Sequence, residues 1–269
     1  MRRLFVFGLG YSAKVIAALA QRRGIEIVST GRDGLLSFDD EGTVRMALAD
    51  ADAVLSSVPP SGEGPDPVLE RYGDALGGKW LGYLSSTGVY GDTGGAWVDE
   101  TAALVGSGGT GRRAARAECD AAWLARGARV LRLPGIYGPG RSALDRVRLG
   151  KAHRIAPDPA GPGQVFSRVH VDDIASGVMA ALTAPPGAYN LADDLPSNQN
   201  AVIEEACRLL GRAPPPLLGL DEAGLSAPAR AFYAENRRVA NGKARRVLGW
   251  RPLHPTYREG LRAVLATGG

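Results

Sequence analysis

Gly8, Gly10 and Ala13 stand in the spacing Gly-x-Gly-x-x-Ala, directly after the apolar run Leu4 to Phe7. A helical pattern through Val15, Ile16 and Leu19 begins at the alanine. Each small residue answers a separate demand. Gly8 permits a tight turn, Gly10 lets the backbone approach a pyrophosphate, and Ala13 lets helix and strand pack closely. A diphosphate would then rest on unpaired N–H groups at the helix N-terminus, where the helix dipole favours negative charge. Gly8, Gly10, Tyr11, Ser12 and Ala13 are therefore the first candidates for holding a dinucleotide. The next strand ends in Ser29 and Thr30 and leads into Gly31-Arg32-Asp33. NAD sites place an acidic residue about 20 residues past the glycines to hold the ribose hydroxyls, whereas NADP sites use a nearby arginine. Thr30 and Arg32 favour NADP, since a guanidinium can grip a 2′-phosphate with paired hydrogen bonds. Asp33 as the ribose ligand, and hence NAD, is the alternative.

The elements that must hold these residues alternate between strand and helix through the first half of the chain. That order predicts a parallel sheet with helices on both faces. Strands are expected at 4–7, 26–30, 53–58, 80–85 and 129–133, with 35–38 as a short third strand. Helices are expected at 13–23, 67–76 and 114–126. Beyond Pro134 glycine and proline loosen the pattern. A helix at 172–182 and a last sheet strand at 188–191 follow, then helices near 200–210 and 227–237 that read as a smaller lobe. The glycine tract 106–111 lacks the Gly-Lys-Ser/Thr ending of a P-loop and reads as linker or flap.

Bulk properties narrow the function classes. A chain of 269 residues accommodates one large α/β domain or two interleaved lobes. No apolar run approaches the roughly 20 residues that span a bilayer, so no membrane partner is expected. The start lacks the apolar region of a signal peptide, and Cys119 and Cys207 suggest no disulfide framework; both fit the cytoplasm. The net charge of +4 comes mostly from arginines scattered in pairs, whereas nucleic-acid binders cluster such charge on one face. A small-molecule substrate is the expected partner.

Three further segments carry a resemblance. Leu84-Ser85-Ser86-Thr87-Gly88-Val89-Tyr90-Gly91, Arg132-Leu133-Pro134-Gly135-Ile136-Tyr137-Gly138-Pro139-Gly140-Arg141 and Val169-His170-Val171-Asp172-Asp173-Ile174 resemble the extended short-chain dehydrogenase/reductases, the superfamily of nucleotide-sugar epimerases and dehydratases. Asn236-Arg237-Arg238-Val239 and Leu248-Gly249-Trp250-Arg251-Pro252 look like its smaller, atypical YeeZ-like branch. The resemblance implies a Rossmann-type doubly wound parallel sheet with a small C-terminal substrate lobe. The sheet domain would comprise residues 1–137 and 168–193, and the lobe 138–167 and 194–269. It also implies a site role for Ser86, in the position of the family's catalytic Ser/Thr, beside the nicotinamide. Ser57, Val58, Pro59, Ser85 and Pro134 would follow the cofactor, and Thr87, Arg141 and Arg168 the substrate. A homodimer through helices near 67–76 and 114–126 is a further implication.

One departure decides how the reaction is read. The family's acid/base is a tyrosine with a lysine four residues later, and those positions fall near Thr110 and Ala114. None of Lys14, Lys79, Lys151 and Lys243 has a tyrosine four residues before it, so the pair is absent. Tyr90 and Tyr137 lie in turns expected to face the site and are the candidate substitutes. Arg141, four residues past Tyr137, would favour its phenolate. Arg112 and Arg113 would meet phosphate or an anionic substrate, or simply form a solvated first turn. His170, Asp172 and Asp173 are metal-ligand types, but the resemblance makes this stretch a helix start capped by Asp172, so no metal is expected. Two functions remain. One is an NADP-dependent oxidoreductase or epimerase-like enzyme acting on a small polar, sugar-like or anionic substrate. The other is a catalytically inactive NADP(H)-binding regulator or scaffold.

Overall fold

The computed structural model describes residues 1–62, 64–105, 112–157, 163–226, 230 and 233–268. The apolar runs become the strands of a six-stranded sheet: β1 (Arg3–Phe7), β2 (Glu26–Ser29), β3 (Ala53–Ser56), β4 (Trp80–Ser86), then Arg129–Leu133 and Gly187–Asn190. Every pairing in it is parallel. From one edge the order is Gly187–Asn190, Arg129–Leu133, β4, β3, β1, β2. The strand order therefore reverses between β1 and β3, and ligands of open α/β sheets bind at the carboxyl ends beside such a switch point.

Strand alternation splits the core in two. Leu4 and Val6 point to one face, where Ala13, Ile16 and Ala20 of α1 (Tyr11–Arg22) meet Ile174 and Val178 of the helix Val171–Ala181. Phe5 and Phe7 point to the other, against α2 (Glu41–Ala49), α3 (Pro67–Tyr72) and α4 (Arg112–Ala125). There Trp123 stacks on Tyr83 with ring centroids 5.4 Å apart. Both faces are covered, which is why these strands read as continuous apolar runs. A separate apolar cluster joins the helices Ala143–Arg148, Gln199–Leu209 and Tyr257–Ala266.

The structure corrects several expected elements. The strand expected at 35–38 is reduced to a single bridge between Thr30 and Leu36. The helix expected over 67–76 stops at Tyr72 and tightens into a 3-10 turn at Gly73–Leu76. Of the helix expected over 227–237, residues 227–229, 231 and 232 lie outside the described residues, Arg230 and Tyr233 are helical, and 235–237 are not helical but lead into the strand Arg238–Val239. The lobe boundary expected at 194 is crossed as well. Ala244 and Trp250 return to the core of the sheet, where Trp250 Nε1 donates to Asp173 O at 3.2 Å and Ser176 Oγ at 3.0 Å. The tract 106–111 lies outside the described residues. Among the described residues no helix is long and apolar enough to cross a membrane.

Candidate functional site

Three strand ends are sewn together around the glycine corner. Gly8 has φ +79°, and a Cβ there would lie 3.0 Å from Val58 Cγ2 and 3.1 Å from Ser57 Oγ. Ser57 Oγ donates to Gly8 O at 2.5 Å, Gly8 N–H to Thr30 Oγ1 at 3.3 Å, and Leu9 N–H to Thr30 O at 2.9 Å. Gly31, at φ +119°, passes so close that a Cβ would sit 3.0 Å from Leu9 N. Gly10 is different. It begins α1 with φ −83° and ψ −168°, no side chain caps the helix, its first turn holds no acid, and a Cβ would meet nothing within 4 Å. The corner thus offers bare amides at a helix N-terminus beside open space.

Beyond β2, Arg32 is exposed and Asp33 is paired with Lys14 Nζ at 2.5 Å. The lysine's hydrogen bond holds the Asp33 carboxyl below its usual range. Sequence reading missed Lys14, whose relation to Asp33 depends on how β2 returns past α1. Tyr11 turns its ring outward under the Arg141 guanidinium, 5.6 Å away, and its hydroxyl donates to Pro139 O at 3.1 Å.

Ser86, Thr87, Pro134 and Gly135 line a pocket of about 190 Å³ together with Val165, Glu235 and Arg237. Ser86 Oγ accepts from Gly88 N–H at 3.1 Å, so its own proton remains available. Arg237 pairs with Glu235, which also meets Arg113. Glu235 was not singled out from the sequence, and Arg237 only as part of the segment 236–239, without a site role. The pocket adjoins, at Gly135, a cavity of about 510 Å³ lined by Tyr137, Arg141, Arg146, Arg168, Gln199 and Tyr257 among others.

Three expected site residues do not face the Ser86 pocket. Ser85 alternates to the opposite face of β4, where its hydroxyl donates to Asp120 Oδ2 at 2.6 Å. Tyr90 is buried and donates to Asn190 Oδ1 at 2.8 Å while accepting from Arg132 at 2.9 Å. Burial raises its pKa, with Arg132 opposing. Tyr137 points its hydroxyl at the backbone of Gly260, where even a Cβ would collide with it. Burial drives its pKa up; the lowering by Arg141 expected from the sequence does not occur, because that guanidinium lies over Tyr11. The Tyr90 hydroxyl is engaged, whereas the Tyr137 hydroxyl is buried without a hydrogen-bond partner among the described residues.

His170, not Asp172, caps the helix Val171–Ala181: its Nδ1 accepts from the Asp172 amide at 3.2 Å. His170, Asp172 and His254 place potential ligand atoms within 4.8 Å of one another, although that amide already occupies the His170 lone pair. Arg168 and Asp193 are both buried, and the Asp193 amide donates to Arg168 O at 2.7 Å. Burial pushes the Asp193 carboxyl up to about 8, Arg168 offsetting only part of it. A carboxyl raised in the folded state stabilises the fold fully below its unfolded pKa of about 3.9 and loses that contribution as pH rises. Asp193→Asn should therefore gain stability relative to the parent between about pH 4 and 8. Urea unfolding across this range checks it; a parent-to-variant difference that stays flat refutes the burial argument.

No family model matches the chain. Sheet order, glycine corner and C-terminal helices define a Rossmann protein with an appended lobe. A protein of unknown function from Silicibacter pomeroyi is 38% identical, with 99% of both chains covered and a TM-score of 0.85. The human epimerase family protein SDR39U1 with NADPH is 18% identical over 98% of this chain and 99% of that one, TM-score 0.72. The Thermus thermophilus UDP-glucose 4-epimerase with NAD is 20% identical over 98% of both, TM-score 0.71. A 3-diazoavenalumate denitrifying reductase from Streptomyces is 35% identical over 144 residues, 49% of this chain and 45% of that protein. The chain spans less than half the length of this curated relative. It belongs to one family with the Silicibacter pomeroyi protein, and it shares its fold with the epimerases.

Proposed function

We propose that this protein is an NADP-dependent oxidoreductase of the reductase type. The observation that carries the reading is the corner at Gly8 and Gly10: one glycine locked by a positive φ, the other open where a diphosphate would lie. The amides of Tyr11, Ser12 and Ala13 would hold that diphosphate, with Ser57, Val58 and Pro59 along the neighbouring strand end. Arg32 and Lys14 outnumber Asp33 at the end of β2, which favours a ribose bearing a 2′-phosphate. When bound, the nicotinamide supplies or accepts a hydride.

The chain's own residues then position the substrate. Ser86 donates a hydrogen bond to a substrate oxygen or nitrogen, stabilising charge that develops there, and Thr87, Pro134 and Gly135 close the pocket. Among the described residues no tyrosine–lysine pair supplies a strong general acid. A reduction that demands little proton transfer suits such a site, and the name of the Streptomyces relative, a denitrifying reductase of a diazo compound, fits that class.

The engaged hydroxyl of Tyr90 and the burial of Tyr137 also favour a second reading, a catalytically silent NADP(H)-binding regulator. Calorimetry and turnover separate the two. Arg32→Ala should weaken NADPH about tenfold, or ~1.4 kcal/mol, and leave NADH unchanged. Ser86→Ala should lower reductase turnover about 100-fold without changing NADPH affinity. Equal parent affinities for NADPH and NADH rule out the phosphate argument. Tight NADPH binding without oxidation against any carbonyl or diazo substrate selects the regulator.

A further inference from the structure

Charge balance fails around the larger cavity. Elsewhere several arginines meet carboxylates: Arg132 lies 2.7 Å from Asp120, Arg154 2.6 Å from Glu204, and Arg245 2.5 Å from Asp194. Around the 510 Å³ cavity Arg141, Arg146 and Arg168 contribute three cations, and no aspartate or glutamate lines it. Among the described residues none of the three forms an ion pair.

Arg168 is the deepest of them, 7% exposed. Its guanidinium donates to Phe166 O and Ser197 O, each at 2.9 Å, and to Gln199 Oε1 at 3.0 Å. All three acceptors are neutral. They orient the planar fork without cancelling its charge. Burial pulls Arg168 down to about 10; Asp193 is the charge that opposes this most, but no carboxylate stands within ion-pair distance of the guanidinium among the described residues. A desolvated cation without a counter-ion is unfavourable, and an anion entering the cavity relieves it. Arg141 and Arg146 are exposed at the mouth, where they attract a negative ligand without gripping it.

The remaining wall carries flat and apolar side chains, Tyr137, Tyr233 and Tyr257 with Ile136, Val202 and Leu261, beside the polar Ser142, His153, Gln199 and Ser226. One buried charge matches one carboxylate, and a planar body matches aromatic and aliphatic walls. We propose that this cavity binds an aromatic or unsaturated organic carboxylate, its carboxylate paired with Arg168 and its far end directed past Gly135 to Ser86. The direction toward Ser86 rests on the reductase reading above; the carboxylate site does not.

The experiment is calorimetry on the full chain, with and without saturating NADPH, using trans-cinnamate, its neutral amide and UDP-glucose as probes. Cinnamate is expected to bind at least tenfold more tightly than the amide. Arg168→Gln, which keeps a hydrogen-bonding side chain, should reduce that preference to within twofold while leaving NADPH affinity at the parent value. Should Arg168→Gln fail to fold, Arg146→Glu on the exposed rim gives the second arm. It should weaken cinnamate at least threefold and not the amide. Equal binding of acid and amide, or UDP-glucose binding more tightly than cinnamate, overturns the proposal. Cinnamate binding retained in a protein that ignores NADPH upholds the carboxylate site and refutes the cofactor reading instead.

Discussion

Replacing Asp120 with alanine is expected to destabilise the protein by about 3–5 kcal/mol, enough to remove much of the stability of an ordinary domain. Asp120 is 0% and Arg132 3% exposed. Arg132 meets the carboxylate twice, at 3.0 Å through Nε and at 2.7 Å through a terminal nitrogen, and its other terminal nitrogen donates to the Tyr90 hydroxyl. Burial alone would pull the guanidinium down, yet Asp120 and Tyr90 hold it above its usual value. Without Asp120 a desolvated cation keeps only a phenol oxygen. The Ser85 hydroxyl loses its acceptor in the same step. Urea unfolding measures the loss. The double variant Asp120→Ala, Arg132→Met should be less damaged than Asp120→Ala alone, because it removes the stranded charge. A loss below about 1 kcal/mol would show that water reaches the pair and that the network is not sealed.

That network also shows where sequence reading stops. Asp120 lies on α4 and Arg132 on the following strand, 12 residues apart, with no periodicity to announce a contact. Tyr90 was legible as a residue near the site, because its turn follows β4. The direction of its hydroxyl was not, since that depends on Asn190, 100 residues later. Tyr137 failed for the same reason: Gly260, on the last helix, decides where its phenol can go. Ser85 and Ser86, by contrast, were separable in principle. Adjacent strand residues face opposite sides, so only one of them could meet a ligand.

The glycine corner was legible because its demands are local. A tight turn, a bare amide and a close helix–strand approach are each met by residues within six positions. The same holds for the core of β1, whose alternation of Leu4 and Val6 against Phe5 and Phe7 serves both sheet faces. Long-range balance was not legible. Which arginines find a carboxylate, and which face a cavity without one, depends on the assembled fold. The net charge of the chain carries no trace of it.

The corner permits a substitution that separates ligand binding from folding. Gly10→Asp is expected to weaken NADPH by at least about 100-fold, or ~2.7 kcal/mol, while changing unfolding stability by no more than about 0.5 kcal/mol. The backbone at Gly10, φ −83° and ψ −168°, suits any residue, and its Cβ would enter open space. An aspartate at a helix N-cap is also favourable to the helix. Its carboxylate would instead occupy the amides meant for a diphosphate and repel the anion that competes for them. Gly8→Ala is the control with the opposite balance. There the φ of +79° and the 3.0 Å approach to Val58 put the strain on the fold itself, about 1–2 kcal/mol from backbone conformation alone. If Gly10→Asp binds NADPH as the parent does, the diphosphate does not cross this helix end, and any dinucleotide must lie elsewhere on the sheet.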